Sequence, residues 1–281
     1  MPESSIFKKL FGGEVEIALE GIEEPLAQDM LESAYEIGVK LERIFNFYDP
    51  SSELSRLNSE RTLNVSPPLL EVITTALHFC ELTKGEYDIS LGKAILERKK
   101  NGKDMKLPCS YKDIKIDKNR VELTHEDVLV DLGSIAKGAI ADKMAEYLKS
   151  QGVISGLIDA RGDLAIFGEE ERIVDIEHPR NWRLKLKSIR LKNGCVATSG
   201  DYRQYIVDFD HSHIINKKDL ICVTVIAPSL MVADVYASVL FVSHEREAIM
   251  HMPEAADVKA MTVDKDMKIR YYNGFEEALS V

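Results

Sequence analysis

Four of the 281 residues are cysteine, at positions 80, 109, 195 and 222, with no close pair and no zinc-like spacing. That excludes a disulfide-stapled scaffold and a cysteine-based zinc module. Three of the four lie in apolar runs and read as small core residues. No stretch approaches the ~18 continuous apolar residues a membrane-spanning helix needs. Cations are in deficit: 36 Lys and Arg stand against 47 Asp and Glu, for a net charge of -11. Phosphate contacts need clustered Lys and Arg, so nucleic acid is not expected as a partner. Glycine- or serine-rich linkers, low-complexity tracts and internal repeats are absent from the sequence. So are a Walker loop, a dinucleotide glycine fingerprint and a nucleophile elbow. The opening residues, Met1-Pro-Glu-Ser-Ser-Ile-Phe-Lys-Lys9, have no apolar h-region, so a secretory signal is not expected there. A cytoplasmic location is the resulting expectation.

What is present is an ordinary globular composition, 45% hydrophobic and 30% charged. The length suits one continuous domain over residues 1–281 with an ample core. Glu14 to Leu19 alternates as a strand after Gly12-Gly13. From Pro25, Leu26, Met30, Ala34, Ile37, Leu41 and Ile44 recur at three and four, one face of a long helix. A second helix starts at Ser66 with Pro67 in its first turn and stops at Gly85. Residues 98–127 read as polar and irregular, with a short strand at Val121 to Thr124. Later segments are mostly strands: Ile154 to Phe167 as strand–turn–strand, Arg172 to Glu177, Trp182 to Leu191, Gln204 to Phe209 with His213 to Ile215, and Leu220 to Ala227. Ser229 caps a helix to about Val242, and Val258 to Val263 pairs with Met267 to Tyr272. The class is therefore α+β, with mixed, largely antiparallel sheets packed with helices.

The chemistry concentrates in a few stretches. Val130-Asp-Leu-Gly-Ser-Ile-Ala-Lys-Gly138 reads as an apolar strand, a glycine turn and a helix start near Ser134. N–H groups at a helix start favour anions, and Lys137 adds positive charge. On residue chemistry alone, Asp131 could join a backbone carbonyl there in holding a metal, or the junction could be plain architecture. Asp234 and Ser238, four apart, share one face of a helix that is otherwise apolar. A carboxylate in that setting is costly without a partner, either a cation or a local cap. Carboxylate, hydroxyl and carbonyl oxygens suit Mg²⁺ rather than zinc. Glu86-Tyr87-Asp88, directly after Gly85, either presents a carboxylate to a ligand or forms a turn. The loop from Phe45 to Asn58 opens with three aromatics and is a candidate ligand loop. His211 and His213 flank a strand start; a His near a metal-bound phosphate could serve as general base, though isolated histidines are more often structural.

Taken in order, these stretches resemble the ApbE family of FAD:protein FMN transferases. The resemblance rests on Tyr48-Asp-Pro-Ser-Ser-Glu-Leu-Ser-Arg-Leu-Asn58, Gly85-Glu-Tyr-Asp88, Val130 to Gly138 with Asp142, and Arg161-Gly-Asp163. It continues through Ala197-Thr-Ser-Gly-Asp-Tyr202, His213-Ile-Ile215, and Val223-Thr-Val-Ile-Ala-Pro228 leading into Ala233-Asp234. It runs from about Glu14 to Phe275 and implies an ApbE-like, T-fold-related architecture. It further implies that Tyr48, Glu86, Tyr87, Asp88, Asp131, Lys137 and Ile215 line a site for FAD, the substrate. Mg²⁺ is implied at the Ser134 carbonyl, Asp234 and the Ser238 hydroxyl, with His213 as catalytic base toward a threonine of a target protein. FAD hydrolysis to FMN and AMP, or flavin binding without catalysis, are the alternatives. The chain departs from the family pattern at four places. Ser238 stands for Thr, Arg161 for a glycine, and Phe11-Gly12-Gly13 for Met-Gly-Thr; a shortened Asn216-Lys-Lys-Asp219 follows His213-Ile-Ile.

Overall fold

The computed structural model describes residues 3–101, 105–201 and 218–280. Strands β1 (Glu3–Leu10) and β2 (Gly13–Glu20) form an opening hairpin, followed by helices α1 (Leu26–Phe45) and α2 (Glu53–Glu60). A short β3 (Thr62–Asn64) leads to α3 (Pro67–Leu82) and α4 (Gly92–Asn101), then β4 (Ile114–Asp117) and β5 (Arg120–Leu123). Helix α5 (Ala136–Ser150) precedes β6 (Ser155–Asp159), β7 (Leu164–Phe167), β8 (Arg172–His178), β9 (Asn181–Leu191) and β10 (Gly194–Gly200). The chain closes with β11 (Leu220–Ala227), α6 (Leu230–Val242), α7 (Arg246–Met250), β12 (Lys259–Asp264) and β13 (Ile269–Tyr272).

Eight strands form one sheet in the order β1-β2-β6-β7-β10-β11-β12-β13, and every neighbouring pair runs antiparallel. The central strand β11 is buried along its whole length. Its sequence, Leu-Ile-Cys-Val-Thr-Val-Ile-Ala, is apolar but for Thr224, whose hydroxyl lies 3.0 Å from that of Thr198, and does not alternate, as suits a strand covered on both faces. The alternation shows instead in what each face touches. Ala165, Phe167, Cys195, Ala197, Val223 and Val225 belong to the large helix-side core. Ile166, Val196, Cys222, Ile226, Met261 and Val263 belong to a second cluster with Ile176, Ile189, Leu191 and Phe275. The base of the β8–β9 ribbon thus covers the face that the helices leave open.

Much of this agrees with the sequence reading, including a short helix in the loop after Phe45, and two differences have clear reasons. β1 pairs with β2 from Glu3↔Glu20 to Leu10↔Gly13, where no strand is expected from the sequence. It is an edge strand, with Lys8 and Lys9 at its end, so one side needs no apolar partner. Residues 98–127 are more ordered than their polarity suggests: β5 pairs with β3 on one side and β4 on the other in a three-stranded sheet, and α4 carries Arg98 into the interior. The long loop after Phe45 holds the two-turn α2, capped by Ser52, whose hydroxyl accepts from the Ser55 N–H at 3.0 Å. All four cysteines are buried free thiols. Among the described residues, no helix is long and apolar enough to cross a membrane. The expected pairing of Gln204 to Phe209 with His213 to Ile215 lies outside the described residues.

Candidate active site

Two helix starts meet at the centre of the molecule. Gly138, in the first turn of α5, sits against the first turn of α6: a Cβ there would lie 2.4 Å from the Leu230 carbonyl oxygen and 2.6 Å from the Met231 nitrogen. Only a glycine permits that approach. Asp142, one turn further along α5, accepts from the Leu230 and Met231 N–H groups at 2.7 and 2.8 Å, filling the donor positions at the start of α6. Burial pushes its carboxyl above the usual range, against the pull of those two N–H groups.

This junction fixes Asp234. Its carboxylate accepts from the Gly138 N–H at 3.3 Å and is 6% exposed. Burial raises its pKa; the Lys137 ammonium and the Gly138 N–H act the other way. The local cap considered from the sequence is not what is found: the donor lies on another helix, 96 residues away, and the carboxylate is left desolvated beside a cation. Lys137 itself forms an ion pair with Asp163, in the turn between β6 and β7. Asp163 is held in turn by the Thr198 N–H at 3.0 Å. Ser238, one helical turn after Asp234, has its hydroxyl 3.3 Å from that of Ser199 on β10.

Tyr87 ties the second half of the site to the first. Its hydroxyl is 2.8 Å from the Ser134 hydroxyl. Burial raises the phenol's pKa, and nearby Cys80, Asp234 and Asp131 raise it further against the pull of Ser134. Asp131 accepts from the Gly133 N–H at 2.7 Å, the turn that aims the chain into α5. Its pKa is raised by burial and eased by Lys99. Lys99 also donates to the Tyr48 hydroxyl and stands 4.9 Å from that ring's centre. Tyr48 is 59% exposed and sits edge-on to Phe47. Tyr87, Asp131, Ser134, Lys137, Asp234 and Ser238 are therefore brought together, with Tyr48 at the rim.

The two remaining carboxylates take structural partners. Glu86 accepts from the Ser243 hydroxyl at 2.8 Å and the His244 N–H at 3.0 Å, holding the end of α6. Burial opposes its ionisation, but those donors outweigh it and its pKa falls. Asp88 accepts from the Ser90 N–H at 2.8 Å and the Tyr111 N–H at 3.0 Å; burial still raises its pKa. The segment after Gly85 thus forms a turn and also delivers Tyr87 to the site. His213 and Ile215 lie outside the described residues.

Several supporting residues carry no signal in the sequence that marks their role. The Asn58 side chain pairs with Val130 in both directions, accepting from its N–H at 2.7 Å and donating to its carbonyl at 2.9 Å. It locks α2 to the segment that delivers Asp131, which is not the expected strand: β5 ends at Leu123, and Leu129 makes only an isolated bridge to Leu91. Two departures from the family pattern meet in space. Arg161 adopts φ +65° and donates to the Phe11 carbonyl at 2.6 Å, and a Cβ on Gly13 would lie 2.4 Å from its Nε. The arginine therefore fills the space that Gly12-Gly13 opens, two residues from Asp163. Position-by-position reading cannot reveal such a pairing. A hollow of about 600 Å³ lies beside the α5–α6 junction, lined by Leu41, Val72, Asp142, Phe167, Cys195 and Met231 among others; Asp234 does not line it.

Among the described residues no cluster of three or more His, Cys, Asp or Glu could hold a metal ion. A cation here would depend on the Asp234 carboxylate with hydroxyl and carbonyl oxygens, a hard donor set that fits Mg²⁺ and not zinc.

Comparison with known proteins converges on one family. The model of the ApbE family matches residues 11–262. The FAD:protein FMN transferase of Vibrio cholerae is 27% identical, over 92% of this chain and 86% of that protein. That of Haemophilus influenzae is 28% identical, over 81% and 75%. Among solved structures, the ApbE protein of Thermotoga maritima superposes with a TM-score of 0.87 at 24% identity, covering 100% of both chains. The apo flavinyl transferase ApbE of Pseudomonas stutzeri gives 0.81 at 20% identity, covering 100% of this chain and 98% of that one. A fold shared from end to end, and a family match that takes in the α5–α6 junction and its buried Asp234, make this chain a member of the ApbE family.

Proposed function

We propose that the protein is an Mg²⁺-dependent FAD:protein FMN transferase, moving FMN from FAD to a threonine of a target protein with release of AMP. The observation that carries this reading is Asp234: a desolvated carboxylate beside Lys137, fixed by the Gly138 N–H at a helix start. A group so placed is costly to bury unless a cation completes it. Asp234, the Ser238 hydroxyl and the Ser134 carbonyl would hold Mg²⁺. The Ser134 hydroxyl is engaged by Tyr87, so the carbonyl is the oxygen on offer. When bound, Mg²⁺ supplies charge neutralisation at the pyrophosphate oxygens. Lys137 would add a second positive charge there, kept in place by Asp163. The exposed Tyr48 ring would stack on a planar part of the dinucleotide, and the first turn of α5 would orient its phosphates.

In the reaction, the threonine hydroxyl oxygen forms a bond to the FMN-side phosphorus, and the bridging P–O bond to AMP breaks. The threonine proton passes to His213, the proposed general base, and AMP leaves with the electron pair of the broken bond. Positioning and charge stabilisation supply most of the rate, as in other phosphoryl transfers. The same site with water as acceptor would hydrolyse FAD.

Incubation with FAD and Mg²⁺, with and without a threonine-bearing flavoprotein acceptor, tests the reading. AMP release dependent on acceptor, with flavin bound covalently to it, is the expected result. AMP without acceptor points to hydrolysis, and retained flavin with no AMP points to a binding protein. His213→Ala should retain FAD binding while transfer slows by roughly 10²–10⁴-fold, the cost of a lost general base; unchanged transfer removes His213 from the mechanism.

A further inference from the structure

Away from the candidate site, exposed apolar surface gathers on the β8–β9 ribbon. Trp182 is 75% exposed, Ile173 67% and Leu184 55%. Trp182 is also the chain's sole tryptophan. Large aromatic side chains are favoured where proteins meet, because they bury much area at little entropic cost. The ribbon is basic as well. Its two strands and turn carry Arg172, Arg180, Arg183, Lys185, Lys187 and Arg190 against Asp175 and Glu177, with Lys185 paired to Asp175 at 3.5 Å, in a chain of net charge -11. Arg183 stands 5.1 Å from the Trp182 ring, so apolar and positive surface are interleaved.

The ribbon is held at both ends and exposed between them. At its base, Ile176, Ile189 and Leu191 enter the second core, and the Ser280 N–H donates to the Ser188 carbonyl at 2.8 Å. At its turn, Arg180 makes a two-pronged pair with the buried Asp201 at 2.7 and 2.9 Å. Asp201 follows the end of β10, two residues after Ser199, whose hydroxyl faces Ser238. From Asn181 to Lys187, β9 pairs with no strand but β8 among the described residues.

We infer that this ribbon is the docking surface for the flavin-accepting protein, and that its occupant is an extended, acidic segment with apolar side chains at alternate positions. The inference rests on the proposed transferase reading and deepens it. An added strand would gain main-chain hydrogen bonds from the edge of β9. Acidic side chains would meet Arg183, Lys185 and Lys187, and apolar ones would meet Trp182 and Leu184. The Arg180–Asp201 tie would keep that segment beside the site's hydroxyls.

The emission of Trp182 reads the contact directly. The full-length protein is titrated, without FAD or Mg²⁺, with a short synthetic peptide in which Asp alternates with Leu around a single Thr. A counterpart with Lys in place of each Asp serves as control. A saturable blue shift with the acidic peptide alone, weakening as salt is raised, is expected. Leu184→Ser with Lys185→Glu should weaken binding at least tenfold by fluorescence anisotropy of labelled peptide, with FAD affinity unchanged. No shift, an equal shift with both peptides, or a shift with anionic lipid vesicles alone would overturn the inference. Because this readout needs no turnover, its failure is distinct from failure of the transferase reading, which the AMP assay tests.

Discussion

Asp234 faces two opposed demands, and the difference between them is measurable. In the metal-free protein its carboxyl is raised by burial, so the folded state prefers the protonated form. An acid with a raised folded pKa lends stability below its unfolded pKa and loses it as pH climbs toward the folded value. A bound cation reverses that preference. The stabilisation given by Mg²⁺ should therefore be larger at pH 7.5 than at pH 5.5, since at the lower pH the proton competes for the same oxygens. Asp234→Asn, which keeps the shape and removes the charge, should raise the melting temperature of the metal-free protein at neutral pH. It should also lower Mg²⁺ affinity by at least about 100-fold, the upper end for loss of even an outer-shell partner. A thermal-shift series over pH and Mg²⁺ checks both. If Mg²⁺ stabilises the Asn variant as much as the parent, the metal lies elsewhere.

Among the elements, the α5–α6 junction is the part of the site least tolerant of change. Gly138→Ala would put a methyl group against Leu230 and Met231 backbone, which cannot rotate away. The helices must separate, at about 1–3 kcal/mol for overpacking, and the Gly138 N–H must draw back from Asp234. Asp142→Ala should cost about 0.5–2 kcal/mol as a lost helix cap. The two variants should differ in their effect on the metal. Gly138→Ala should weaken Mg²⁺ binding beyond its effect on stability, while Asp142→Ala should mainly lower the denaturation midpoint; equal Mg²⁺ affinity in both would refute the coupling. This junction also marks what is legible in sequence. The glycine turn locates the start of α5, although the run before it is no strand, and the four-residue spacing puts Asp234 and Ser238 on one face. What cannot be read locally is that Asp142 caps a helix almost ninety residues later, or that Asn58 holds Val130. The strands β1 and β4 escape periodicity for a simpler reason: each buries too few residues for an alternation to show, Ile6 and Leu10 in β1 and Ile114 alone in β4.

At the scale of the molecule, two hydrophobic clusters share one sheet. The helices pack on one face, and the β8–β9 ribbon packs on the other through Ile176, Ile189 and Leu191 around Phe275. Since β7, β10, β11 and β12 contribute to both clusters, neither can lose its packing without exposing the other side of the same strands. A single cooperative unfolding transition is the expected consequence. Trp182 makes this testable, because the sole tryptophan sits on the ribbon, far in sequence from the helices that dominate far-ultraviolet circular dichroism. Denaturant unfolding followed by tryptophan emission and by circular dichroism should give coincident transitions. Phe275, fully buried and stacked on Tyr271 with ring centres 5.9 Å apart, anchors the smaller cluster. Phe275→Ala should cost about 3–5 kcal/mol and move both transitions together. If emission moves to lower denaturant while the dichroism midpoint stays, the ribbon and its cluster unfold independently, and the surface proposed for acceptor docking is then a separately melting module rather than a rigid extension of the sheet.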